Sequence, residues 1–446
     1  MKHLVIIVLS AFLLISCNKK YNKSNDTIII IGAGMSGLAA AKELTENGVE
    51  NVIILEAQDR VGGRVRTDYS LGVAFDEGAS WIHGPDGRNP ITDLATSAGI
   101  TTFLTDDDNA IVYNTDGTAY SDSYYAQQDS DFEDAIKAIE NGGTQNQSFE
   151  TVYSSLYSDK VNNAFWKFML SSYIEFDTGG DISKLTSKYF YDDSSYSGDD
   201  VIVTNGYDKL PEMLAKNLDI RYNQKVTKID YNKNNKIIVT ASGQEFEADV
   251  VICTVPLGVL KKGVITFSPE LSDEKQEAIS QLEMGSINKF LLVWDTPFWD
   301  VDKQYIGYTP QEKGKFNFYL NMSKFTSANA LMTFAFGDYG KTTETMSDTE
   351  VIAKIMTHLR NMYGQTIPEP TDMLRTKWGS NEFTYGSYSF VTVGGSSEAY
   401  NTLAESVDDR LYFAGEHTSF KYRSTVHGAY NSGIDAASEL LKRFRK

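Results

Sequence analysis

Residues 27–67 read TIIIIGAGMSGLAAAKELTENGVENVIILEAQDRVGGRVRT, and this stretch decides the fold. Residues 27–31 are a short β-branched run, suited to a strand buried on both faces of a parallel sheet. Gly32-x-Gly34-x-x-Gly37 follows at once, and 38–44 reads as a helix. A second apolar run, 52–55, ends in Glu56. Strand, glycines, helix, strand and acid in that order form the dinucleotide-binding βαβ unit. Gly32 allows the tight turn, Gly34 lets backbone approach a pyrophosphate, and Gly37 lets helix pack on strand. The helix N-terminus offers free N–H groups to the phosphates. Glu56, about 20 residues on, is placed to accept from a ribose hydroxyl.

Gly62-Gly63-Arg64 follows, flanked by Arg60 and Arg66. A second glycine turn carrying an arginine can grip the pyrophosphate from its other side. Here the sequence resembles the flavin-containing amine oxidases, a family that includes monoamine oxidases, polyamine oxidases and lysine-specific histone demethylases. The pattern E-A-x-x-R-x-G-G-R-x-x-T is typical of them and implies FAD rather than NAD. The implied fold is α/β, a Rossmann-type FAD-binding domain with an inserted α+β substrate domain.

The length of 446 residues exceeds one compact core, so two domains are expected. A formal charge of −19 argues against nucleic acid and suits a cationic partner, although acidic surfaces also serve solubility. Residues 1–17 read as a targeting segment: Lys2, then an apolar run at 4–15 too short to span a bilayer as a mature helix. The ending Leu14-Ile15-Ser16-Cys17 looks like a bacterial lipoprotein signal, with acylation of Cys17 and residues 18–25 as a polar tether. An ordinary secretory signal is the alternative. The expected location is exported and lipid-anchored to a bacterial cell membrane, on its periplasmic or outer-surface face. Only Cys253 then remains, an inert thiol inside the apolar run 250–255.

The resemblance continues along the chain. Segment 75–84, FDEGASWIHG, is similar to one that amine oxidases carry beneath the flavin, and GASWIHGP is nearest in form to spermine and acetylpolyamine oxidases. It implies that Gly78 lets backbone approach the flavin and that Trp81 and His83 line the substrate channel. L-amino-acid oxidases place an arginine hereabouts for the substrate carboxylate; none occurs before Arg88. Val226 would touch the adenine. In GSINKFLLVW, strand alternation puts Lys289 on an apolar face with Ile287 and Leu291, where an ammonium needs acceptors or a lowered pKa. By resemblance Lys289 holds a water against flavin N5. Ser387 stands where monoamine oxidases bond the flavin through cysteine, implying non-covalent FAD. Tyr388 would wall the amine site, and Thr425 replaces a second tyrosine, opening that side to longer amines. Gly415 and Glu416 would meet the ribityl–pyrophosphate region, and the helix starting at Val426 would point at the flavin N1–C2=O edge. Without the resemblance, His83 is a loop histidine, Lys289 a strand lysine reaching for solvent and Tyr388 core packing.

The domains are expected at 26–100, 201–284 and 396–446 for FAD, and at 101–200 and 285–395 for substrate. Segment 189–193 and its nearby acids could meet a cationic chain, with solvated surface the preferred reading. The implied chemistry is hydride transfer from the amine α-carbon to flavin N5, imine hydrolysis, and reduction of O2 to peroxide; no metal is expected. Polyamines are the preferred substrate. The alternatives are a monoamine or L-amino-acid oxidase, with Arg88 or Arg423 meeting a carboxylate, and a surface flavoprotein with a binding or redox-sensing role.

Overall fold

The computed structural model describes residues 25–232 and 236–444. The leader with Cys17, most of the tether, and Arg445 and Lys446 lie outside the described residues. The N-terminal run forms the strand Ile28–Ile31 at the centre of a five-stranded sheet. The order is Leu411–Phe413, Val250–Cys253, Ile28–Ile31, Val52–Leu55 and Asp219–Arg221. Every neighbouring pair is parallel. Successive side chains leave opposite faces of a strand, and here both faces are covered. Ile28 and Ile30 pack into a core under the helices Met35–Glu46 and Val426–Arg443. Ile29 and Ile31 pack into a second core shared with a four-stranded sheet. This explains why the strand is apolar at every position rather than alternating.

The four-stranded sheet runs Gln244–Ala248, Ile237–Ala241, Val226–Asp230 and Thr266–Ser268. Its hairpin turns at Ser242 and Gly243, both at positive φ (45° and 79°), the conformation a two-residue loop requires. Residues 219–230 divide between the two sheets: Asp219–Arg221 joins the parallel one and Val226–Asp230 joins this one.

The first and last helices approach closely. A Cβ on Gly433 would lie 2.1 Å from the Ser36 carbonyl oxygen, so only glycine fits. The middle of the final helix seats against the first.

A six-stranded sheet lies across the cofactor-motif region, in the order Asp372–Arg375, Ile287–Val293, Ala330–Phe336, Lys315–Asn321, Tyr305–Tyr308 and Ala110–Tyr113. Phe290 and Leu292 face the helix Asp348–Tyr363, which opens with a capping box between Ser347 and Glu350. Ile287 and Leu291, and Lys289 by the same alternation, face the opposite side. Two small sheets straddle the expected domain seams. Thr102–Leu104 pairs with Val201–Val203, which pairs with Trp81–Ile82. Leu282–Met284 pairs with Ser389–Val391. Among the described residues no helix is long and apolar enough to cross a membrane.

Candidate active site

A cavity of about 1070 Å³ begins at the glycine motif and runs between the parallel sheet and the six-stranded sheet. At its first end the glycines separate into two kinds. A Cβ on Gly37 would lie 2.0 Å from the Gly32 carbonyl oxygen, and Gly32 sits at φ 103°, so the fold itself requires both. Gly34 has an ordinary φ of −77°, and a Cβ there would meet nothing within 4 Å. Protein packing does not explain that glycine; a group seated over the helix N-terminus does. Glu56 is fixed beside it: Ala33 N–H donates to Oε2 at 2.7 Å and Gln58 N–H to Oε1 at 2.9 Å. Each carboxylate oxygen keeps a lone pair for a ribose hydroxyl. Val226 lines the same end. The cradle fits a dinucleotide.

In the middle, Glu416 ties distant segments together. Its Oε1 accepts from Arg64 Nη1 at 2.8 Å. Its Oε2 accepts from Ser389 Oγ at 2.6 Å and from Ser424 N–H at 3.2 Å. Arg64 Nη1 also donates to the Ser387 carbonyl at 2.9 Å. Burial alone would raise the Glu416 pKa, but the Arg64 charge and these donors hold it below the usual carboxylate range. The carboxylate reads as an organiser of the site, since its bonds go to protein, while the backbone of Gly415 and Glu416 lines the cavity. Gly78 is packed against the Arg64 carbonyl, where a Cβ would lie at 1.6 Å.

Lys289 is buried, and its ammonium has found acceptors. Nζ donates to the Asp76 carbonyl at 2.9 Å, the Gly78 carbonyl at 2.5 Å and Ser80 Oγ at 2.5 Å. Burial lowers its pKa against the pull of the Asp76 and Glu77 charges, and burial raises that of the Asp76 carboxyl. All three ammonium protons have protein partners, so a water held by Lys289 would have to share or displace one. The lysine thereby pins the glycine segment 76–80 to the six-stranded sheet. Asp76 and Ser80 were not among the expected site residues; an acid and a serine in a glycine-rich loop carry no signal of their own.

Beyond Lys289 the walls become aromatic. Trp81 meets Phe176 edge to face at 5.9 Å, with Lys289 Nζ 5.8 Å from its ring centre. Tyr388 donates its hydroxyl to the Phe176 carbonyl, which fixes the ring rather than leaving it free in the core. Thr425 is the N-cap of the final helix: Oγ1 accepts from Gly428 N–H at 2.9 Å and donates to the Tyr422 carbonyl at 2.8 Å. A tyrosine could not cap in this way, so the small residue has a structural reason. Val426 follows it on the cavity wall. His83 faces the cavity with Nδ1 2.5 Å from Asp200 Oδ2. Burial would lower its pKa, but the Asp200 carboxylate raises it above the ordinary histidine value.

Two expectations are corrected here. Residues 189–191 and Asp193 line the cavity, against the preferred surface reading; Tyr191 donates to Asp177 Oδ2 at 2.9 Å. Arg423 is buried and committed, pairing with Asp192 at 2.8 Å and Asp193 at 3.3 Å. Arg88 lies outside the cavity lining. Each arginine that does line it, Arg64 and Arg423, already holds a carboxylate of the chain. The far end instead carries Asp107, Asp129 and Asp177.

Glu416→Gln tests the central tie. The folded-state pKa of Glu416 is depressed, so its stabilisation is full above the unfolded carboxylate value and is lost as pH falls through the folded one. The variant is expected to be about 3 kcal/mol less stable at neutral pH. The deficit should shrink in acid, as read by urea unfolding across pH; a pH-independent deficit would contradict the assignment.

Comparison with known proteins agrees with this geometry. The model of the family "Flavin containing amine oxidoreductase" matches residues 35–441. Polyamine oxidase 4 of Oryza sativa subsp. japonica is 34% identical over 94% of this chain and 89% of its own length. Polyamine oxidase 2 of Arabidopsis thaliana is 32% identical over 96% and 90%. Among solved structures, wild-type putrescine oxidase bound to putrescine aligns with a TM-score of 0.75 at 21% identity, covering 94% of this chain and 99% of that one. That likeness shows the fold, a Rossmann-type FAD-binding domain with a substrate domain. The chain belongs to the flavin-containing amine oxidoreductases and is an FAD-dependent enzyme of that family.

Proposed function

We propose that the enzyme oxidises polyamines, passing electrons to O2 and holding FAD without a covalent bond. The observation that carries this reading is the single cavity that joins the glycine cradle to an aromatic waist and then to a carboxylate-lined end. FAD held in the cradle would supply the hydride acceptor for the carbon beside the amine nitrogen, leaving an imine for hydrolysis, and its reoxidation by O2 would give peroxide. The chain supplies the rest. Glu56 and the first helix hold ribose and phosphates. Trp81, Phe176 and Tyr388 wall the reacting carbon with apolar surface and exclude water. Ser387 occupies the Gly-x-Tyr segment, and Cys253 is buried within its strand, which supports a non-covalent hold.

The carboxylates Asp107, Asp129 and Asp177 favour a cationic chain reaching past the waist. An amino-acid substrate is disfavoured, because both cavity arginines are already paired. A role limited to binding or redox sensing would leave no peroxide on mixing with any amine.

The test is anaerobic mixing with spermine, spermidine, acetylated polyamines, phenethylamine and L-amino acids, following the yellow flavin band. Polyamines are expected to bleach it fastest, and the rate should rise towards alkaline pH, because hydride leaves readily only from a neutral amine. Bleaching by L-amino acids alone would overturn the reading. Acid precipitation should leave the colour in the supernatant. Lys289→Met is expected to slow flavin reduction or reoxidation in single-turnover mixing; unchanged kinetics would remove Lys289 from the chemistry. The leader ending at Cys17 supports export and lipid anchoring at a bacterial membrane. Labelled fatty acid should enter the wild type and not Cys17→Ser, and equal labelling would refute the anchor.

A further inference from the structure

Asp177 has two further carboxylates near it, Asp200 and Asp193, and each of those has a cation. Asp200 Oδ2 lies 2.5 Å from His83 Nδ1, and Asp193 Oδ1 lies 3.3 Å from Arg423 Nη2. Asp177 has a neutral partner, the Tyr191 hydroxyl at 2.9 Å, and among the described residues no lysine or arginine pairs with it. It is nonetheless held firmly. It follows Phe176, whose carbonyl accepts from Tyr388 and whose ring meets Trp81. Before it runs a π-helical turn, Leu170–Glu175, an irregularity that re-aims the residues after it. Glu175 at the end of that turn is buried and pinned by Lys313 at 2.5 Å.

Asp177 is open to the cavity, and protein surrounds that cavity; a carboxylate so enclosed and paired only with a neutral hydroxyl is costly to ionise. Enclosure by the cavity walls pushes the Asp177 pKa up to about 6, with Tyr191 and the His83 charge opposing, and with Asp200 and Asp193 adding to the rise. Tyr191 and Tyr388 respond to its charge in turn, both being held further towards the neutral form. The missing countercharge has room to arrive through the cavity, one residue beyond the aromatic waist. We propose that Asp177 binds a second ammonium group of the substrate and so selects diamines and polyamines over monoamines. This rests on the amine-oxidising reading above and adds the residue that sets the substrate class.

The test compares putrescine and spermidine with butylamine in anaerobic flavin bleaching by the holoenzyme, wild type and Asp177→Asn. Asparagine keeps an acceptor for Tyr191 and removes only the charge. For putrescine and spermidine, the second-order constant for bleaching is expected to fall about 100-fold, carried by a weaker Kd, while butylamine is unchanged. In the wild type the preference for putrescine over butylamine should fall as pH drops through about 6, because the carboxylate binds ammonium only when ionised. That limb should vanish in the variant. The pH profile of the wild type stands even if the variant does not fold. A preference retained in Asp177→Asn, an equal loss for all three amines, or a pH limb that persists in the variant and so belongs to His83 and Asp200, would each overturn the assignment alone. A wild-type flavin bleached by no amine would overturn the amine-oxidising reading and this assignment with it.

Discussion

The Arg64–Glu416 ion pair is the contact on which the rest of the site depends. It joins the second glycine turn to the strand end after Leu411–Phe413, and through Ser387, Ser389 and Ser424 it recruits the substrate side and the loop before the final helix. A pair this buried is worth keeping only if its remaining lone pairs and protons are satisfied. Here the carboxylate accepts from the Ser389 hydroxyl and the Ser424 N–H as well as from Arg64, and Arg64 donates in addition to the Ser387 carbonyl. The consequence is positional: the cradle, the Tyr388 segment and the N-terminus of the final helix are held in one frame.

Lys289 extends that frame to the other sheet. Three acceptors from residues 76–80 compensate the burial of one ammonium, and Asp76 is itself held by Thr67 Oγ1 at 2.5 Å and Tyr207 N–H at 3.0 Å. The glycine-rich segment beneath the cavity therefore has little freedom. Such rigidity suits a site whose chemistry belongs to a bound group, since the protein contributes orientation and exclusion of water. The aromatic waist is fixed in the same manner, Tyr388 through its hydroxyl and Trp81 through Phe176.

Much of this was legible beforehand where local physics is strong. The strand–glycine–helix unit and the inward face of Lys289 follow from period and turn chemistry. The polar stretch between residues 100 and 204 was not legible. Its segment 189–193 reads as surface because it is rich in tyrosine and aspartate, yet it lines the cavity and its acids are neutralised by Arg423, more than two hundred residues away in sequence. Thr425 reads as a departure from a tyrosine, while its geometry makes it a helix cap. Pairings of that kind have no period and no local signature.

What the sequence by itself determined is the parallel sheet, the dinucleotide cradle and the family, because these rest on residues adjacent in the chain whose backbone demands are steric. What only the tertiary structure decided is which charges are free. Arg423 and Arg64 are spent on Asp192, Asp193 and Glu416, Asp200 is matched by His83, and Asp177 is left facing the cavity with a hydroxyl. The balance of charge in a cavity is set by distances between segments far apart in sequence, and Coulomb energies at those distances do not exist until the chain has folded.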